Sequence, residues 1–257
     1  MEEPNTGSRR NFLRWSAGAA VGAGLLGTTL AAAAHGHAGE KSAHGPTAQG
    51  SVPAAEPAEM TSAAALQLLV EGNRRYAEFH STDLNETPAR RTEVVGGQHP
   101  FATIFSCVDS RVSPELVFDR GLGDLVVVRS AGEVPDHAVT GSLEFGVEEL
   151  HTPVMLVLGH QKCGALAATI EAVKNGDEYE NPKGDVDYLV RSLAPVVKSV
   201  RHKPGDLLTN AVKANVRYQL TRLRRSPLLG PAEREGKVML VGGYYSLETG
   251  LVEILHR

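Results

Sequence analysis

Two short apolar runs constrain this chain more than anything else in it. Residues 101–111 (FATIFSCVDSR) and 154–163 (VMLVLGHQKC) each read as a buried strand, and each ends in a soft-metal ligand. The first delivers Cys107; the second delivers His160 and, three residues on, Cys163, and these are the only two cysteines in the chain. If the strands are parallel neighbours, all three side chains open at the carboxyl edge of the sheet, where open α/β sheets bind their ligands. A Cys₂His set leaves the fourth tetrahedral position of Zn²⁺ free, the pattern of a catalytic rather than a closed structural site. Two buried cysteines and a satisfied histidine would give the same spacing, since free cysteine is among the most buried residue types. Asp109 and Arg111, two and four residues after Cys107, shift that balance because they share its side of an extended segment. A carboxylate there accepts a hydrogen bond from metal-bound water or competes for the metal, and an arginine beside it holds it bidentately and away.

With those residues in view, CVDSRVSPEL resembles the C-x-D-S-R motif of the β-class carbonic anhydrases, and GHQKCGAL resembles that family's G-H-x-x-C-G. LVVVRSAGEV, TGSLEFGVEEL, the upstream LVEGNRRY and the final VGGYYSLETGLV look like further family blocks, so the resemblance runs from about Leu66 to the C-terminus. It implies an α/β fold, with a central, mainly parallel sheet flanked by helices. It also implies one Zn²⁺ per chain on Cys107, His160 and Cys163, and reversible hydration of CO₂ to bicarbonate and a proton by zinc-bound hydroxide. Asp109 would aim that hydroxide and Arg111 would fix Asp109. The partners implied are CO₂/bicarbonate and further copies of the chain, as a homodimer or higher even oligomer, with the N-terminal helix packed on the partner.

Four substrate-binding positions follow from the same resemblance. Gln98, nine residues before the first metal cysteine, matches the spacing of a glutamine that in plant-type members reaches the substrate from the neighbouring subunit. Val126 and Phe145 stand where the plant-type pattern has a phenylalanine and a tyrosine, and would form an apolar wall for CO₂. Gly164 opens a helix directly after Cys163, where exposed N–H groups and the dipole favour a thiolate. Glu133 departs from the pattern, replacing the usual asparagine after Ala-Gly.

The 257 residues, 42% of them hydrophobic, suffice for one substantial core, expected over 61–257. A formal charge of −4 gives no ground for nucleic-acid binding or attraction to anionic membrane. Residues 1–38 read as a targeting segment: Arg9-Arg10 within SRRNFLR resembles a twin-arginine export signal, followed by an Ala/Gly-rich apolar stretch with Ala-x-Ala-like sites. So many small residues argue against a stable membrane anchor, so the expected location is periplasmic or extracellular. Residues 39–60 read as a Pro/Ala/Gly/Ser linker.

Helical spacing predicts helices over 61–80, capped by Thr61 or Ser62, then 113–118, 139–150, 164–173, 188–201 and 207–225. Strands are predicted at 125–130, 238–242 and 251–255. Three other functions remain compatible with the residues: CS₂ or COS hydrolysis at an identical zinc set, a non-catalytic zinc-binding protein, and a redox dithiol.

Overall fold

The computed structural model describes residues 60–176 and 184–256. The expected signal, and the linker up to residue 59, lie outside them. No helix among the described residues is long and apolar enough to cross a membrane.

Five strands form one sheet: β1 (Ala102–Ser106), β2 (Leu125–Arg129), β3 (Val154–His160), β4 (Met239–Tyr245) and β5 (Val252–His256), in the order β2-β1-β3-β4-β5. All neighbours are parallel except β4 and β5, which pair antiparallel after the tight Ser246–Leu251 turn. Every residue of β1 and β3 is buried. That explains their continuous apolar runs, because a parallel sheet is covered on both faces.

Alternate side chains feed two cores. On one face Ile104, Leu156, Leu158 and Val241 meet Ala65, Leu66 and Leu69 of α1 (Ser62–Ala77). Thr61 Oγ1 caps this helix by accepting from the Ala64 amide at 3.2 Å. The helix docks its apolar stripe on its own sheet. Its glycine makes the approach possible: a Cβ on Gly72 would sit 1.9 Å from the Phe118 carbonyl oxygen. Asn73 next to it donates to the carbonyls of Val117 and Gly250 and accepts from the Val252 amide, tying α1 to the β4–β5 turn. Between α1 and β2 lie the short helices α2 (Pro88–Glu93) and α3 (Pro114–Val117).

On the opposite face Phe105, Met155, Val157 and Leu240 pack against α4 (His137–Glu148) and α7 (Leu207–Leu223), with α8 (Leu229–Arg234) closing that side. Gly146 of α4 lies against Thr103, and Val212 and Val216 of α7 close over Gly159. The third core joins α5 (Gly164–Asn175) and α6 (Asp185–Val200) through Leu166, Ile170, Leu193 and Val197, and it takes in Cys107 and Cys163.

Candidate metal centre

β1 and β3 are hydrogen-bonded neighbours, with Ser106 opposite Leu158, so Cys107 and His160 leave the same edge of the sheet. The chain turns at Lys162, whose φ is +58°, and brings Cys163 back as the N-cap of α5. The ligand atoms of Cys107, His160 and Cys163 all lie within 4.8 Å of one another, and all three residues are buried. Both cysteines are free thiols.

The histidine shows what the set is for. Its Nδ1 pairs with the Gln161 carbonyl at 2.9 Å, so that nitrogen carries the proton and donates. Its Nε2 is buried with no hydrogen-bond partner. A buried, aimed lone pair beside two sulfurs is costly without an occupant. The donor set is soft and three-membered, and therefore fits Zn²⁺ with one position left open. The two thiols behave as a pair: hydrogen bonding from Cys163 pulls the Cys107 thiol down, helped by the Gly132 and Asp109 amides and opposed by burial. Cys163, as the donor, is held up. Cys107 is thus the first to become a thiolate, which is the ligating form.

Asp109 stands beside this cluster, its Oδ2 3.9 Å from His160 Nε2. Arg111 grips it with Nε on Oδ1 at 2.9 Å and Nη2 on Oδ2 at 2.8 Å, while the Arg111 amide also donates to Oδ1. That grip holds the Asp109 carboxyl well below the usual carboxylate range. Arg111 is itself anchored by donating to the Lys162 carbonyl. Gly164, the first residue of α5, is exposed, and a Cβ placed on it would meet nothing within 4 Å.

The chain does not bring the other three expected residues to this cluster. Val126 pairs with Thr103, four residues before Cys107, which sets it about 13 Å back along the sheet. Phe145, 40% exposed, precedes the Gly146 that lies on the same Thr103. Gln98 is exposed at the amino edge, on the loop leading into β1.

Several residues that hold the site are invisible to motif reading. Arg129 donates to the carbonyls of Cys107 (2.8 Å) and Asp109 (2.7 Å), stapling the metal loop to the end of β2. The Gly132 amide lies 3.4 Å from the Cys107 sulfur. Glu133 is fully buried, and burial first, then the nearby Cys107 charge, push its carboxyl well up despite a hydrogen bond from Asn215. The available signals were Glu133 in place of the usual asparagine and polar Asn215 and Gln219 on the buried face of α7.

A mainly parallel α/β sheet that presents two cysteine sulfurs and an imidazole at its carboxyl edge, next to an arginine-held aspartate, defines a class of zinc enzymes whose metal keeps an exchangeable position. A carbonic anhydrase family profile matches residues 102–252. The chain is 36% identical over 192 residues to a carbonic anhydrase of Mycolicibacterium smegmatis, covering 74% of this chain and 92% of that one. It is 37% identical over 188 residues to carbonic anhydrase 2 of Mycobacterium tuberculosis, covering 73% and 89%. The structure of a Coccomyxa β-carbonic anhydrase in complex with acetazolamide superposes with a TM-score of 0.58 at 26% identity, over 74% of this chain and 86% of that one. This chain belongs to the carbonic anhydrase family, in its β class.

Proposed function

We propose that the chain catalyses the reversible hydration of CO₂ to bicarbonate and a proton, with one Zn²⁺ held by Cys107, His160 and Cys163. The observation that carries this is the two-pronged hold of Arg111 on Asp109 beside the unpartnered His160 nitrogen. A storage site has no use for a carboxylate aimed at its open position. When bound, the zinc supplies a Lewis acid that makes a water far more acidic, less strongly than three histidines would allow because two thiolates donate more charge.

The protein residues divide the remaining work. Asp109, kept ionised by Arg111, accepts the hydrogen bond of the attacking water and aims its lone pair at CO₂. Arg111 holds both carboxylate oxygens and so restrains Asp109 from closing on the histidine. Gln161, through its carbonyl, fixes the tautomer of His160 and leaves Nε2 free to ligate. The Gly164 amide, at the N-terminus of a twelve-residue helix on an exposed residue, donates to a bicarbonate oxygen. The released proton passes to buffer.

Gln98, Val126 and Phe145 complete the substrate pocket only when a second copy supplies them, so the proposal extends to a homodimer or higher even oligomer. Its support is their distance from their own cluster and the exposed apolar side chains of Val95 (83%), Leu116 (59%) and Val108 (54%). We also propose that residues 1–38 direct twin-arginine export to the periplasm or beyond, with 39–60 as a tether; the support is the SRRNFLR motif. Export in the folded state would carry the thiolates out already metal-bound.

The decisive test is stopped-flow CO₂ hydration on the mature protein with its zinc quantified. Hydration that falls about 100-fold or more in Asp109→Ala, with zinc retained, supports the assignment. Full zinc occupancy with no hydration at alkaline pH overturns it in favour of CS₂ or COS hydrolysis. Sequencing the N-terminus of the exported protein tests the targeting proposal; an uncleaved cytosolic chain refutes it.

A further inference from the structure

Behind the metal loop lies a buried polar chain that the reaction scheme leaves unused. Gln219 donates from Nε2 to Asn215 Oδ1 at 2.9 Å. Asn215 spends both amide hydrogens: Nδ2 donates to the Gly132 carbonyl at 2.8 Å and to Glu133 Oε2 at 3.0 Å. Gly132, held by its carbonyl, presents its amide to the Cys107 sulfur at 3.4 Å. Glu133, Asn215 and Gln219 are all fully buried.

This arrangement is expensive. Gly132 and Glu133 occupy the left-handed region in succession, with φ of +64° and +51°, and a glutamate is a poor choice there. Glu133 Oε1 and Gln219 Oε1 are buried without a partner. A Cβ on Gly132 would meet Leu193 Cδ1 at 2.7 Å and Ala165 Cβ at 3.2 Å, so the turn is closely covered by α5 and α6. An apolar pair would fill the same space between α7 and the loop without these penalties. What the polar chain achieves, and an apolar one does not, is a fixed direction for the Gly132 amide.

We propose that Glu133, Asn215 and Gln219 are positioning residues for the metal's thiolate ligand: they lock the Gly132 turn so that its amide donates to the Cys107 sulfur and sets how much charge that sulfur gives the metal. The proposal rests on the metal assignment above and adds the group that tunes it. An amide hydrogen bond stabilises the sulfur lone pair, which strengthens binding of the thiolate form and shifts its electronic transitions to higher energy. Outer-shell groups of this kind change metal affinity about 10- to 100-fold when removed.

The test uses the full chain loaded with cobalt(II), whose sulfur-to-metal charge-transfer absorption reports on the two thiolate bonds, that of Cys107 among them, together with zinc competition against a chromophoric chelator. Asn215→Ala and Glu133→Ala are expected to move the band to longer wavelength and weaken zinc binding about tenfold or more. Glu133→Gln keeps the oxygen that accepts from Asn215 and is expected to restore both readouts. Leu220→Ala, on the same helix but facing the other core, is the control for lost stability alone. If Asn215→Ala leaves band and affinity where Leu220→Ala leaves them, the polar chain is only structural and the proposal falls. If the unaltered protein shows no sulfur-to-cobalt band at all, the metal assignment itself falls, and this proposal with it.

Discussion

The docking of α1 makes a prediction whose sign opposes ordinary helix propensity. Replacing glycine by alanine inside a helix normally stabilises it by about 0.5–1 kcal/mol. At Gly72 the new methyl would lie 1.9 Å from the Phe118 carbonyl oxygen and 2.8 Å from its carbon, and both are backbone atoms. To reach an ordinary contact the helix must back away by more than about 1 Å, since carbon contacts settle near 3.5 Å or beyond. That retreat loosens Leu66 and Leu69 in the core and stretches the three hydrogen bonds of Asn73. Overpacking against a rigid neighbour costs about 3 kcal/mol, at the upper end of the usual range. Setting that against the propensity gain leaves Gly72→Ala about 2 kcal/mol less stable than the parent. Gly141, in α4, is the matched control: a Cβ there meets nothing within 4 Å, so Gly141→Ala should gain about 0.5–1 kcal/mol. Urea denaturation at fixed protein concentration reads both, with a midpoint about 1 M lower for the first variant and slightly higher for the second. A Gly72→Ala midpoint at or above the parent's would refute the reasoning.

Other consequences are as open to measurement. His160→Ala removes the buried, unpartnered nitrogen, so metal analysis after dialysis should find zinc lost while far-ultraviolet circular dichroism stays native. Thiol titration under denaturing, chelating conditions should find two free thiols and one zinc per chain; a single oxidised pair without zinc would revive the redox reading. Burial pushes the Asp119 carboxyl up, but hydrogen bonds from Thr82 and the Arg75 ion pair outweigh it and leave its pKa below the ordinary 3.8. Its contribution is therefore present above that value and is lost as pH falls through the folded pKa. Asp119→Asn should cost about 1–3 kcal/mol at pH 7, and denaturation curves of variant and parent should converge in acid.

Much of this architecture was legible in the residues. The apolar runs before Cys107 and through His160 are β1 and β3, and their burial on both faces is why they lack alternation. Helix starts at Thr61 and Gly164 were readable because capping and N-terminal chemistry is local. The ends were less so: α1 stops at Ala77, not His80, and β4 runs to Tyr245, past the expected Gly242, because its final residues are fixed by pairing with β3. The short α8 was not anticipated, having a single turn and a half and no period to read. In the site, Asp109 and Arg111 declared themselves by spacing within one segment. Arg129, Gly132 and Asn215 did not, because their partners lie 22, 25 and 83 residues away and only the topology brings them together.

One feature of that topology bears on how the metal comes and goes. Two of the ligands are tied to inner strands: Cys107 directly follows β1 and His160 ends β3, each with a strand on either side, while Cys163 caps α5. Thermal fraying starts at sheet edges and chain ends, and here it can strip β2 or β5 without separating Cys107 from His160. Parting Cys107 from His160 means splitting the middle of the sheet, an event close in free energy to unfolding the whole domain. Release of zinc from both Cys107 and His160 should therefore keep pace with hydrogen–deuterium exchange of the buried β3 amides, which are expected to exchange slowest among the described residues. A chelator in solution would then wait on that opening before it could act.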